Sequence, residues 1–437
     1  MSDLLGIGAS GVRAYQNALT TTSNNIANAG SAGFARRTTD LAEVRGGNGA
    51  VANGITRSAS AFRAADLRQA GTDLARTEGG VQWLERLEGA LVETRLGERL
   101  GSFFDAAKGV AADPTAAAPR AVMLEQAGTL AQAFSATGAR FDAIASELGD
   151  SARADVAQVN GLAANLDKIN DGLRRTQPGT AAQASLLDQR DQALAAISAY
   201  ADVSATFDPL GAATVRLGGG GGPVLVDQYG TGTLLFASNA EGAVQFTVSR
   251  SGTKTDVMLN GGSLAGIADG AQRLATARGE VETLAREFAT GVNTVQTSGS
   301  DLNNQPGARL FDIGDPATRL SLNPAIDGAG IAAARAGAGT RDNGNLADLA
   351  ELRTAGNVEG RLTGIASANA ATLAARRTVA DAQTAIRDGA ATALGEVAGV
   401  NIDEEAVDLI RFQQAYQASS RVIQVAREIL QSILAIN

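Results

Sequence analysis

The chain opens and closes on the same hydrophobic rhythm. Near the start Leu5, Val12, Leu19 and Ile26 recur every seven residues, with Tyr15 three places after Val12 and Leu4 beside Leu5. Gln16, Asn17, Thr20 and Thr21 fill the other side, so the stretch to about residue 28 predicts a helix with one apolar seam. At the far end Ile402, Leu409, Tyr416, Ile423 and Leu430 again repeat at sevens, flanked by Phe412, Ala426, Ile433 and Leu434. The run Asn401-Ile402-Asp403-Glu404-Glu405 offers an N-cap and first-turn acids, which suit the unpaired N–H groups of a helix start. A helix of this length is marginal alone, because nucleation is costly and one apolar face stays wet. Each Leu or Ile taken out of water contributes about 1.5–3 kcal/mol. The two stripes are therefore expected to pair with each other or with a neighbouring subunit. Periodicity alone also admits two ordinary terminal helices on one globular core.

Between the ends the pattern is helix, strand, helix. Residues 64–110 and 115–175 carry helical periodicity, with breaks near Asp113-Pro114 and Gln177-Pro178-Gly179, and a further helix covers about 181–200. The period then changes. Short β-branched runs at 203–207, 214–217, 223–226, 233–237, 243–249 and 255–259 are divided by glycine, which predicts a small antiparallel β domain. A long helix resumes from about Leu264 to Val295, a Gly/Asn/Pro-rich loop follows around 298–344, and helix returns over about 345–395. The predicted fold class is mainly α with an inserted all-β module. Its parts are a terminal coiled-coil domain (1–35 with 400–437), a long-helix rod domain (36–200 with 265–399) and an inserted β domain (201–264). Such nesting puts the joined termini at one end of a rod and the antiparallel β domain at the outer end.

Composition narrows the chemistry. Aromatics are 4% of the 437 residues and glycines number 52, a balance that suits long, closely packed helices better than a thick core. The formal charge of −9 argues against a nucleic-acid binder, which needs cations to neutralise phosphates, and against a polybasic membrane-surface protein. The absence of Cys removes disulfides and thiolate nucleophiles. The absence of His removes the commonest acid–base group near neutral pH, every Ser-His or Cys-His pair, and imidazole metal ligands. The first residues lack a signal-peptide pattern and no run of 18 apolar residues occurs, so neither a cleaved leader nor a membrane span is expected.

Several local motifs invite chemistry. Gly6-Ile7-Gly8-Ala9-Ser10-Gly11 spells the dinucleotide fingerprint, but no strand precedes it and asparagines stand where the ribose-binding acid belongs. The glycines are read instead as loosening a first helical turn. The Gly218–Gly222 run lacks the Lys-Ser/Thr of a phosphate loop and reads as a hairpin or linker. Asp301 to Gly307 has some calcium-loop spacing without the closing bidentate Glu. Asp403, Glu404 and Glu405 are accounted for by the helix start. Leu186-Leu187-Asp188-Gln189-Arg190-Asp191 reads as a salt-bridged helix surface, and Trp83, the sole Trp, as core. No catalytic, cofactor-binding or metal-ligating residue is assigned.

Two terminal motifs point to a family. Thr21-Thr22-Ser23-Asn24-Asn25-Ile26-Ala27-Asn28, then Gly33-Phe34-Ala35-Arg36-Arg37, resembles the N-terminal signature of flagellar axial proteins; Ala29-Gly30-Ser31-Ala32 stands where Thr-Pro is usual. Val400 to Glu405 with Leu409-Ile410-Arg411-Phe412-Gln413-Gln414-Ala415-Tyr416 is similar to the C-terminal signature. Asn24, Asn25, Asn28, Gly33, Phe34, Gln414 and Tyr416 are the motif residues. Val159-Asn160, Ile169-Asn170, Leu186 to Asp191, Gly262 to Ile267, Phe288 and Val292-Asn293 extend the likeness to the hook-associated protein 1 family, the first hook–filament junction proteins.

The resemblance implies a structural subunit of the bacterial flagellum, not an enzyme and without cofactor, that joins hook to filament as a mechanical adaptor. It implies export by the type III apparatus without a cleaved signal, a chaperone on the C-terminal helix, and an extracellular place at the junction. Copies of the chain itself, the hook protein and the second junction protein (hook-associated protein 3) are the implied neighbours. The assembly interface is assigned to Leu5, Val12, Tyr15, Leu19, Ile26, Ile402, Leu409, Phe412, Tyr416, Ile423, Leu430 and Ile433. Alternatives are another axial protein (hook or distal rod), a secreted adhesin using the β module, and a nucleotide-binding enzyme built on Gly6–Gly11.

Overall fold

In the computed structural model, residues 2–44, 49–239 and 242–434 are described, without the side chains of Ser2, Ile433 and Leu434. Helix α1 (Ser2–Asn28) leads into a hairpin of β1 (Arg37–Glu43) and β2 (Ala50–Arg57), paired antiparallel from Arg37↔Arg57 to Glu43↔Ala50 with a register shift after Asp40. This hairpin departs from the expected run of helices. Its strands hold few large apolar residues and none is fully buried, so the alternation of half-buried and exposed positions does not show as alternating hydrophobicity. Helix α2 (Ala61–Val92) starts at Ser60, whose hydroxyl accepts from the Arg63 N–H. The expected helix over 64–110 is broken by Arg95 at φ 51°, a left-handed conformation that ends one helix and starts α3 (Leu96–Ala112). Helix α4 (Ala117–Arg175) follows, and its 59 residues reach roughly 90 Å. Helix α5 (Ala181–Tyr200) returns, capped by Thr180.

The β module forms two sheets. Strands β3 (Val203–Phe207), β4 (Ala213–Leu217), β5 (Val224–Asp227) and β6 (Gly230–Thr231) make one; β7 (Thr233–Ser238), β8 (Val244–Arg250) and β9 (Thr253–Val257) make the other. All pairings are antiparallel, as the six short runs predict, and the Gly218–Gly222 run turns β4 into β5. Helix α6 (Gly262–Ser298) then rejoins the helices. The segment after it holds the short strands β10 (Gly299–Ser300), β11 (Phe311–Ile313), β12 (Leu320–Leu322) and β13 (Ala334–Arg335). Helices α7 (Gly344–Gly356) and α8 (Val358–Ala398) are divided by Asn357 in the left-handed region, and α9 (Ile402–Leu434) is the last.

A single apolar core runs through the helices. Phe103, Phe134, Phe141, Phe288 and Phe311 are fully buried, and Phe103 meets Phe288 edge-on at 5.6 Å. The segment 298–344, expected as loop, packs into this core through Leu310, Phe311, Ala317, Leu320 and Ile331. Arg120 anchors it, donating to the carbonyls of Pro114 (2.6 Å), Gly328 (3.0 Å) and Ile331 (2.6 Å). Burial pushes the Arg120 guanidinium below its ordinary pKa, and these carbonyls take the place of a counter-ion. The calcium-like spacing has a plainer use: Asp301 Oδ1 accepts from the N–H groups of Asn303 and Gln305, closing a turn.

Three motif asparagines fasten strands and loops to helices. Asn160 donates to the Leu234 carbonyl and accepts from its N–H (2.9 and 2.8 Å); Asn170 does the same with Ala213 (2.8 Å each). Asn293 serves Leu310 and Phe311 alike. These contacts correct the expected placement of the β module. Asn160 and Asn170 lie near the C-terminal end of α4, and just beyond them the Gly179 carbonyl accepts from Ile55 of β2 at 2.7 Å. The module therefore flanks the base of the rod, near the termini. The outer end is built from α3, the start of α4, α7 and the Arg120-anchored segment. The reason is length: α5 covers only about 30 Å before the chain turns into β3.

Candidate assembly interface

Helices α1 and α9 lie against each other, and the hairpin covers another side of α1. The positions α1 buries are Gly8, Gly11, Ala14, Ala18, Thr21, Thr22 and Asn25; apart from Thr22 they are spaced by three and four residues as in a coiled-coil seam. They are small. A methyl group on Gly8 would stand 2.7 Å from Ile423, and one on Gly11 would stand 2.6 Å from the Ser419 hydroxyl. The supposed nucleotide motif is thus a groove for a neighbouring helix, and close approach replaces the expected loosening of the first turn. Leu5, Val12, Tyr15, Leu19 and Ile26 sit about one position round from this seam and are only half-buried. Tyr15 meets Phe412 of α9 with ring centroids 6.5 Å apart.

On α9 Leu409, Phe412, Tyr416 and Ile423 are half-buried, while Ile402 and Leu430 are 56% and 40% exposed. The side chain of Ile433 lies outside what is described. The heptad rule passes over a second stripe. Val407 (66% exposed), Ile410 (56%) and Val425 stand open on the face of α9 away from α1, and Val422 and Ile429 are exposed on the flank of the seam. Val407 and Val425 are eighteen residues, about five turns, apart and so point the same way. α9 is apolar on both sides, and one side has no partner among the described residues.

A polar collar ties the pair to the rod. Asn25 is buried; its amide donates to the Arg37 carbonyl (2.7 Å) and to Glu405 Oε2 (2.9 Å), while its oxygen accepts from the Arg37 N–H (3.0 Å). Glu405, also buried, accepts from Arg36 Nε at 2.6 Å, which raises the Arg36 pKa. The two terminal motifs therefore meet in one hydrogen-bonded knot. Arg37 and Arg57 converge on Asp188 (2.7 and 2.6 Å), and Arg57 also reaches Asp191 at 2.9 Å. Gln192 donates to the Ala32 carbonyl, and Gly33, at φ 73°, presses so close that a methyl group would meet Gln192 at 2.6 Å. Phe34 lies under the Arg37 guanidinium, 4.8 Å to the ring centroid.

This corrects two expectations. The Leu186–Asp191 run is a buried clamp and not a solvated helix surface, because Asp188 and Arg190 face the hairpin and Gly211. Within Asp403–Glu405, Asp403 receives the expected cap from Asn401 (3.1 Å), but Glu405 is a buried partner of the N-terminal motif. Of the other motif residues, Asn28 donates to the Asn24 carbonyl, and Asn24 and Gln414 are exposed. Sequence reasoning missed Arg57, Ala14 and Ala18 and gave Asp188 a surface role; for the two alanines the readable signal was the three-four spacing of small residues from Gly8 to Asn25. Among the described residues there is no group of three His, Cys, Asp or Glu able to hold a metal, and no helix long and apolar enough to cross a membrane.

The fold and this site define a class: an elongated helical subunit whose two ends close into one helix pair, locked by buried polar groups and apolar on its open side. Residues 84–311, a little over half the chain, match the family described as the flagellar hook-associated protein FlgK helical domain, and the chain belongs to that family. Residues 392–436 match the C-terminal region described for the flagellar basal body rod FlgEFG proteins. Similar relatives are flagellar hook-associated protein 1 of Salmonella typhimurium (28% identical over 354 residues, 74% of this chain and 62% of the relative) and of Escherichia coli K12 (28% over 338 residues, 72% and 61%). The counterpart in Bacillus subtilis 168 is 23% identical over 485 residues, covering 96% of this chain and 95% of the relative. The chain thus spans about three fifths of the length of the first two. The flagellar hook junction protein FlgK from Burkholderia pseudomallei shares the fold, with a TM-score of 0.50 and 22% identity over 57% of this chain and 47% of that one.

Proposed function

We propose that the chain is a structural subunit of the bacterial flagellum that joins hook to filament and acts there as a mechanical adaptor, assembling through its terminal helices. The observation that carries the reading is the second apolar face of α9. Its first face is taken by α1 within the chain, so Val407, Ile410, Val422, Val425 and Ile429 lose contact with water only when another chain covers them. Identical subunits joined head to tail build a helical array, which supplies such a cover in every copy. Copies of the chain, the hook protein on one side and the second junction protein on the other are the proposed neighbours. Before export through the type III apparatus, a chaperone on the same face would serve the same purpose.

The interface assigned from the heptads is refined by this reading. Leu409, Phe412, Tyr416 and Ile423 serve the internal pair, whereas Ile402 and Leu430, at the two ends of the same stripe, stay open to a neighbour. A hook or distal-rod subunit is the second reading, favoured by the match of residues 392–436 to rod-protein C-termini. Immunogold labelling of isolated flagella separates the two. A single band at the hook–filament boundary is expected; label along the hook or inside the basal body would favour the second reading, and no label would sink both.

A further inference from the structure

At the joint between the terminal pair and the rod, the turn Ala32–Ala35, α5, the start of α2 and the end of α8 enclose an open-mouthed cavity of about 910 Å³. Leu67, Phe207, Leu394 and several alanines make its walls apolar, and four arginines enter it. Two of them are satisfied: Arg57 by Asp188 and Asp191, and Arg190 by Asp191 and the Gly211 carbonyl. The other two are not. Among the described residues Arg68 has no ion pair and no side-chain hydrogen bond, and burial pushes its guanidinium below its ordinary pKa. Arg387 pairs only with its exposed chain neighbour Asp388 at 3.1 Å, and its Nε is buried without a partner. A half-buried guanidinium with unmet hydrogen-bond donors is costly, and an occupant bringing carboxylates on an apolar backing would satisfy both the walls and the arginines.

The chain itself carries such an occupant. The first turns of α9 expose Ile402, Val407 and Ile410 together with Asp403 and Glu404, an apolar ridge edged with acid. Ridge and cavity lie at the same level of the molecule, since Ala398 and Gly399 line the cavity and Ile402 begins α9 three residues later. In a helical array every copy holds a given residue at one radius, so features at one level are the ones that can meet between lateral neighbours. We infer that residues 402–410 of a second copy seat in this cavity, with Asp403 and Glu404 against Arg68 and Arg387. The inference rests on the self-assembly reading and gives it a specific lateral contact.

The absence of cysteine makes the test clean. Chains bearing Ala391→Cys and Glu404→Cys, each with its own epitope tag, are co-produced in a strain lacking its own copy, and isolated flagella are oxidised and run on non-reducing gels. A dimer carrying both tags is expected, several-fold above that formed when Asp150→Cys on the side of α4 replaces Glu404→Cys. In parallel, Arg68→Glu should reduce swimming several-fold and Glu404→Lys should restore it in combination. A mixed dimer no more abundant than the Asp150→Cys control, in flagella that contain both tagged chains, overturns the inference and leaves the assembly reading standing. Absence of the untagged wild-type chain from isolated flagella overturns both.

Discussion

The rod and the terminal pair are both helical, yet they are held together in opposite ways. The rod buries its largest side chains: Phe103, Phe134, Phe141 and Phe288 are each under 2% exposed. The pair buries its smallest, with Gly8, Gly11, Ala14 and Ala18 in the seam and Val407, Ile410 and Val425 turned to water. A core of large residues is stable by the apolar area it removes from water. A seam of small residues brings two backbones close but removes little area, so it leans on the Asn25–Glu405–Arg36 knot for its geometry. One region is finished as a monomer. The other is arranged for completion by a neighbour, and such regions sit at the low end of local stability.

That contrast can be broken at either side. The largest effect is expected in the rod, where Phe288→Ala leaves a cavity among four phenylalanines and costs about 3–5 kcal/mol. Chemical denaturation should show it as a large fall in midpoint, and Phe412→Ala in the pair should leave the same midpoint nearly unmoved. Next comes the collar. Asp188→Ala strands the largely buried Arg37 and leaves Arg57 with Asp191 alone, and breaking a buried pair costs up to about 3–5 kcal/mol. Proteolysis concentrated in the hairpin and the turn before it would confirm that the loss is local; a global fall without local cleavage would not fit.

A smaller effect is expected at the seam. Gly11→Val drives a branched side chain into Ser419, so α9 should separate from α1 and exchange its amide hydrogens faster, with rod amides unchanged. In the β module, Arg250 donates to Asp227, Nη1 to Oδ2 at 2.8 Å, and this holds the Asp227 carboxyl below its usual pKa. A folded pKa below the unfolded value of about 3.9 means the pair stabilises the native state fully above that pH. The stabilisation is lost as pH falls through the folded value. Arg250→Met should therefore melt lower than wild type at pH 7, with the gap closing below about pH 4; a gap constant across that range would remove the pair from the account. The smallest effect on the monomer is expected from Val425→Ser, within about 0.5 kcal/mol because the side chain is already wet. The same change should impair incorporation into flagella, which a swimming assay reads.

Much of this was legible in the sequence, for reasons of period. Long helices keep their 3.6-residue rhythm, so α4, α5 and α6 follow from pattern alone, and the six alternating runs mark the β module. The hairpin and the 298–344 segment were not legible, because their order comes from Asn25, Arg120 and Asn293 reaching across the chain rather than from local alternation. The heptads located the terminal helices but passed over the small residues buried between them, one position round on α1. Hydrophobic periodicity weights large residues, while the seam is set by what is small enough to let α9 approach. Asp188 looked like surface because charge in a helical run usually is; only the hairpin's two arginines, more than 130 residues away in sequence, bury it.

The central claim is that the outer face of α9 is open in the single chain and closed in the flagellum. Hydrogen exchange on the purified monomer and on isolated flagella tests it directly. The account predicts that α4 and α6 exchange slowly in both, while residues 402–432 exchange fast in the monomer and become protected by at least a hundredfold, about 2.7 kcal/mol, on incorporation. If α9 is already as protected as α4 in the monomer, or gains nothing in the flagellum, the claim is wrong.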